Sequence, residues 1–303
     1  MVGVHSEPEL IRTSTLRDLP PDFEWAMTEN DPFIVSPQRH WLLSLGIFIS
    51  TLPLSVFSLS FLAFYGFIAK MRYPKLVGKR KDRLARQVSQ LILMCCRLNL
   101  KTTDHSKGIH ANLYIGNHIC MLEGVILISI VGHVRFLAAS FSRDIPFVGA
   151  LVRLVEPIFV DRKKGNAQYA NQIKESLEQA SLRHVIFPEG AYENGSAVLR
   201  FKSGAFIAGK PVTPVLFSYP SYVPFWNRQE SSLFTQMYRF LSRFQTTVNV
   251  DILPIYIPNE EERGNPTVYA ENVRRYMSYY LKTDLSNLDV FDSPNYKIDV
   301  GQI

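Results

Sequence analysis

The 303-residue chain is long enough for one large domain or two modest ones. Its formal charge of +6 is too small to imply a nucleic-acid partner by itself, and none is expected. Cys95, Cys96 and Cys120 make an odd set with no paired spacing, which argues against a disulfide framework or a zinc site and favours a reducing compartment. The seven histidines are scattered, so no metal and no cofactor are expected.

Residues 1–40 are polar and carry no sustained period, and they read as an N-terminal tail without a secretion signal. From Trp41 to Ala69 there is no Asp, Glu, Lys or Arg, and Leu, Ile, Phe and Val dominate. A bilayer core needs roughly 20 apolar residues as helix, so residues 41–69 read as a membrane anchor, with a buried soluble helix as the alternative, though such helices seldom run so long without a charge. Pro53 near the middle leaves two forms open, a tilted span or a kinked hairpin that re-enters the same leaflet.

Lys70, Arg72, Lys75, Lys79, Arg80, Lys81, Arg83 and Arg86 follow, with Asp82 as the one acid among them. Such a cluster beside a membrane segment favours the cytosolic leaflet and its anionic headgroups. Within this juxtamembrane segment, 70–110, the stretch Leu84–Leu100 is amphipathic, with Leu84, Val88, Leu91, Ile92 and Cys95 at helical spacing. It could lie on the bilayer surface or pack as an ordinary helix.

From residue 111 to about 285 short apolar runs alternate with helical stretches. Leu113–Ile115, Val134–Ala138, Pro157–Val160, Val185–Phe187, Pro211–Phe217 and Val248–Pro254 read as strands. Val125–Val131, Phe147–Leu154, Gln168–Ala180 and Thr267–Leu281 read as helices. The alternation predicts an α/β domain with a mostly parallel or mixed sheet flanked by helices, and 286–303 reads as a tail.

Three strand ends carry candidate chemistry. Tyr114-Ile115-Gly116-Asn117-His118 runs out of a strand into a turn, and Glu123 follows five residues after His118. On a continuous helix these two side chains would stand about 140° apart, so they meet only if His118 sits in the turn before the helix begins. An imidazole titrates near neutral pH and can take a proton from a hydroxyl, and a carboxylate on its other nitrogen fixes the tautomer. Val185-Ile186-Phe187-Pro188-Glu189-Gly190 ends a second strand, where ligands of open α/β sheets bind, so Glu189 and Gly190 are candidates to hold a polar head. Arg162 stands just past a third strand end, and its planar fork suits phosphate; an exposed basic turn would look the same.

Taken together, Asn117-His118 with Glu123, Arg143 through Gly149, Phe159–Arg162, Phe187–Gly190 and Pro211–Val215 resemble the glycerolipid acyltransferase family in order and spacing. The stretches Leu199–Phe206, Pro254–Glu261 and Tyr269–Arg274 resemble its branch that acylates lysophosphatidylcholine and lysophosphatidylethanolamine. The resemblance implies the glycerolipid acyltransferase fold and transfer of an acyl chain from acyl-CoA to a lysophospholipid hydroxyl, without a covalent acyl-enzyme. His118 would be the general base and Glu123 its orienting partner. Arg143, Arg162, Glu189, Gly190 and Lys202 would bind the acceptor and its phosphate. The resemblance also implies residence in the endoplasmic reticulum membrane, among membrane lipids, with the lipid-droplet surface as a further location, and the basic cluster after residue 69 puts the catalytic domain on the cytosolic side.

Two positions depart from the family pattern: Glu123 stands where Asp is usual, and Ala191 where Thr is usual. A catalytically silent platform with the same fold and an acyltransferase for lysophosphatidic acid are the alternatives. Some members of the branch carry a calcium-binding extension, and regulation by that route is not expected here.

Overall fold

The computed structural model describes residues 45–50, 78–120, 122–139, 158–160, 173–178, 182–190, 195–219 and 244–289. A seven-stranded mixed sheet organises them, in the order β1-β8-β7-β2-β5-β3-β4. The strands are β1 (Leu98–Asp104), β2 (Leu113–Gly116), β3 (Arg135–Ala139), β4 (Ile158–Val160), β5 (His184–Ile186), β7 (Thr213–Ser218) and β8 (Thr246–Ile252). Neighbours run parallel except β7 and β8. A second, two-stranded parallel sheet joins β6 (Ala197–Val198) to β9 (Asp284–Leu285).

Alternation along the strands sends side chains to opposite faces and builds two cores. In β2, Leu113 and Ile115 face a cluster with Ile186, Phe206 and the aromatic side of α4 (Pro266–Leu281), where Tyr269, Val273, Tyr276 and Met277 are buried. Tyr114 faces the other way, into a cluster with Val185, Val215, Phe217, Val248 and Val250 that is covered by α1 (Lys79–Cys95) and α2 (Glu123–Val131). The result is a sheet with helices on both faces, as the sequence pattern predicts.

Helix starts follow local chemistry. Asn259 opens α3 (Glu260–Gly264) with a capping box: its side chain accepts from the Glu262 N–H at 2.9 Å, and Glu262 accepts from the Asn259 N–H at 2.8 Å. Asn265 then caps α4, with Pro266 in the first turn, where its missing N–H costs nothing. Residues 173–178 are helical, inside the expected Gln168–Ala180.

The segment 70–110 belongs to this α/β unit over its described part. α1 packs Ala85, Val88, Ile92 and Leu93 inward, against α2 and the sheet, so the amphipathic stripe is that of an ordinary packed helix. Asp82 holds the helix in place: it pairs with Arg183 at 2.6 Å and accepts from the His133 N–H at 3.0 Å. The helix stops at Cys95, short of the expected Leu100, and Leu98–Leu100 instead open β1, an edge strand too polar in Leu-Asn-Leu-Lys-Thr-Thr-Asp to stand out, half-buried at its start and exposed from Lys101 onward. At the other end, Ser286 donates its N–H to Val198 and Leu288 accepts from Arg200, so the start of the expected tail is tied to β6.

Among the described residues no helix is long and apolar enough to cross a membrane. Of the run 41–69 only 45–50, which are helical, are described, and the rest of the expected anchor lies outside the described residues. So do Lys70, Arg72, Lys75 and the expected helix Phe147–Leu154.

Candidate active site

Because β2, β5 and β7 are adjacent and parallel, their carboxyl ends lie side by side: Ile115 pairs with Ile186, and Gly116 with Val215. The three segments leaving those ends therefore converge, bringing His118, Glu189 and Tyr219 to one place.

α2 begins at Glu123, so His118 sits in the turn before the helix, the arrangement that five-residue spacing needs for contact. His118 Nδ1 lies 2.6 Å from Glu123 Oε2. With the carboxylate as acceptor, the ring proton stands on Nδ1 and Nε2 is the basic atom. Glu123 is fully buried, yet each of its oxygens is held. Oε1 accepts from the N–H groups of Cys120 at 2.7 Å and Ile119 at 3.0 Å and from the Tyr219 hydroxyl at 3.1 Å. Oε2 accepts from the Ile119 N–H at 3.1 Å as well as from His118. The helix start adds its positive end, so a buried charge here is compensated rather than stranded.

The turn itself is fixed from three sides. Asn117 is buried and pairs with the backbone of Phe217 in both directions, donating to its carbonyl at 3.0 Å and accepting from its N–H at 2.8 Å. That clamps the histidine turn to β7. Glu189 accepts from the His118 N–H at 3.1 Å through Oε1 and from the Leu199 N–H at 3.2 Å through Oε2. The imidazole rests flat on Phe187.

Glu189 is fully buried under the turn. Burial pushes its carboxyl up to about 8, against the pull of the two N–H donors, and the nearby Glu123 pushes the same way. Gly190 adopts a positive φ of 70°, a conformation open to glycine, and donates its N–H to the Phe187 carbonyl at 3.1 Å. Lys202 is half-buried, and its N–H donates to the Pro188 carbonyl at 2.9 Å, which anchors the Leu199–Phe206 stretch beside the Glu189 turn. Arg143 and Arg162 lie outside the described residues.

The branch-like motifs build a separate network. Glu262 accepts from the Tyr256 hydroxyl at 2.6 Å and from Asn272 at 2.8 Å. Arg274 is buried, bonded to the Val198 and Ser286 carbonyls and to Glu271 at 2.9 Å. Sequence reasoning missed Asn117 as a clamp, Phe187 as the platform under the imidazole and Tyr219 as a donor to Glu123. Asn117 and Phe187 lie inside the quoted motifs, but their partners are set by the fold alone.

Residues 97–218 match the family model described as Acyltransferase. Over that stretch the chain is similar to the acyltransferase family. Lysophosphatidylcholine acyltransferase 1 of Rattus norvegicus is 28% identical over 90% of this chain and 55% of its own length. That of Danio rerio is 36% identical over 46% of this chain and 28% of its own. The chain thus spans about half the length of the rat relative. The crystal structure of the 1-acyl-sn-glycerophosphate acyltransferase from Thermotoga maritima superposes with a TM-score of 0.54 at 19% identity, covering 82% of this chain and 98% of that one. That likeness is one of fold, and the mixed sheet flanked by helices is the acyltransferase architecture.

Proposed function

We propose that the chain transfers a fatty acyl group from acyl-CoA to the free hydroxyl of a lysophospholipid, lysophosphatidylcholine or lysophosphatidylethanolamine. The observation that carries this reading is the 2.6 Å contact of His118 Nδ1 with the buried Glu123 carboxylate at the carboxyl edge of an acyltransferase sheet.

In this mechanism His118 Nε2 removes the proton of the acceptor hydroxyl as its oxygen attacks the thioester carbonyl. Glu123 steadies the imidazolium that forms, and the imidazolium then delivers its proton to the departing thiolate as the carbon–sulfur bond breaks. The acyl group passes directly to the acceptor oxygen, with no bond to the protein. Glu189 and Asn117 hold the turn that carries the base. Arg143, Arg162 and Lys202 are the cations that neutralise acceptor phosphate, with Gly190 bordering the acceptor head.

The curated relatives named lysophosphatidylcholine acyltransferases favour the choline headgroup. The Thermotoga enzyme, named as an acyltransferase for lysophosphatidic acid, keeps that acceptor as the alternative. The uncharged run Trp41–Ala69 followed by basic residues supports membrane anchoring, with the domain on the cytosolic side of the endoplasmic reticulum or on lipid droplets. Asn194-Gly195-Ser196 is a glycosylation acceptor, and a glycan on Asn194 in cells would overturn that topology.

The test incubates purified full-length protein with one acyl-CoA and a panel of lysophospholipids and identifies products by mass. Phosphatidylcholine or phosphatidylethanolamine supports the reading. Phosphatidic acid alone selects the alternative acceptor, and no product from any acceptor selects the silent platform.

A further inference from the structure

Resting on the reading of His118 as base, we propose that Tyr219 is the third member of the catalytic relay, a positioning residue whose hydroxyl fixes the carboxylate of Glu123 against His118.

Tyr219 directly follows β7, and its hydroxyl donates to Glu123 Oε1 at 3.1 Å while Oε2 of the same carboxylate holds His118 Nδ1 at 2.6 Å. One carboxylate thus bridges phenol and imidazole. The two backbone donors on Oε1, Ile119 and Cys120, come from the histidine turn itself, whereas Tyr219 reaches in from a strand 96 residues away in sequence. Its hydroxyl ties the carboxylate itself to the end of β7, as Asn117 ties the turn. A glutamate arm has one more rotatable bond than an aspartate arm, so a donor from outside the turn removes freedom that the longer side chain would otherwise keep. The half-buried ring packs against the cluster containing Phe217 and Val250, which fixes where the hydroxyl points. Burial and the neighbouring Glu123 and Cys120 hold the phenol well above its ordinary range, so it stays a donor throughout the working pH.

Hydroxyl donation also draws charge from Glu123. The other titratable groups around the pair, among the described residues, are Cys120 in the same turn, Glu189 after β5 and, beyond Glu189, Arg274 of α4. Removing the hydroxyl leaves more negative charge facing the imidazole and favours imidazolium. The acid limb of the pH–rate profile should therefore move to higher pH.

The experiment measures kcat, KM and the pH–rate profile for wild type, Tyr219→Phe, and a variant with ring-fluorinated tyrosine at 219, each checked for an unchanged thermal midpoint. Tyr219→Phe should lower kcat about tenfold with KM for both substrates unchanged, the scale of one hydrogen bond to a charged group. Its acid limb should move up. The fluorinated ring donates more strongly, keeps the packing and should move the limb down. Should Tyr219→Phe fail to fold, the fluorinated variant carries the test alone. In the Glu123→Asp background Tyr219→Phe should cost less than twofold, because the shortened arm no longer reaches the hydroxyl. An unmoved limb in both variants, with kcat unchanged, overturns the proposal for Tyr219. If His118→Ala retains activity, the reading of His118 itself fails, and the two outcomes are distinct.

Discussion

The imidazole of His118 lies on the ring of Phe187, with centroids 4.1 Å apart and planes 11° from parallel. The proposed base is thus set by two partners at right angles in function: Glu123 fixes its rotation and Phe187 fixes its plane. An aromatic contact of this kind is worth about 0.5–1.5 kcal/mol, enough to select one ring orientation from several.

Gly116 controls that platform. A Cβ built there would stand 2.8 Å from Phe187 Cε1 and 3.1 Å from Phe217 Cε2, so one ring must move. Gly116→Ala should displace Phe187, tilt His118 and lower kcat by at least about tenfold, since a misplacement near 1 Å can cost on the order of 10²-fold. Overpacking should also cost about 1–3 kcal/mol of stability. Initial rates and chemical denaturation check both, and an unchanged rate would show that the stack is dispensable.

Glu123 departs from the usual aspartate, yet its surroundings fit the longer arm, with Cys120, Ile119, Tyr219 and His118 all bonded to its carboxylate. Glu123→Gln should be nearly inactive, because an amide nitrogen facing a backbone N–H or Nδ1–H cannot accept from it. Glu123→Asp should retain charge but lose reach, and fall between the two at roughly 10²-fold below wild type. Acyl-CoA consumption at saturating lysophospholipid measures this, and equal rates in all three would make Glu123 a bystander.

Glu189 gives a pH signature of stability. Its folded-state value is raised from 4.5 to about 8 by burial, so the folded protein holds a proton that the unfolded chain has lost between those values. Its contribution is therefore fully present below pH 4.5 and disappears as pH rises through about 8. His184, which burial and the nearby Arg135 hold down to about 4, acts oppositely, its contribution fading as pH falls from 6.5. Because His184 is common to both proteins, the difference between wild type and Glu189→Gln isolates Glu189. The thermal midpoint of wild type relative to that of Glu189→Gln should fall as pH rises from 5 toward about 8, and an unchanged difference would show that Glu189 does not titrate in that window.

How much of this was legible in the sequence follows from where each partner sits. β2, β5, β7 and β8 announced themselves because buried strands are continuously apolar or strictly alternating, as in Val248, Val250 and Ile252. β1 did not, since an edge strand has no need to be apolar. His118 and Glu123 were legible as a pair because their contact is local. Tyr219, and the Asn117 clamp on Phe217, join residues about 100 apart in sequence, and only the β2–β7 register brings them together. Glu189 stood out as a polar residue at a strand end, but its burial and its bonds to the backbone of His118 and Leu199 depend on the loop that follows.

The central claim is that His118 is the base that activates the acceptor hydroxyl, and the most direct test is the rate of acyl transfer by His118→Ala. The side chain is partly exposed and its removal leaves the Asn117 clamp and the backbone bond to Glu189 in place, so the variant should still fold, with a thermal midpoint lowered by only a few degrees for the lost stack and hydrogen bond. Measured at matched protein concentration with saturating acyl-CoA and lysophospholipid, its rate should fall by about 10²–10⁴-fold. A folded His118→Ala protein retaining more than about a tenth of the wild-type rate would contradict the account.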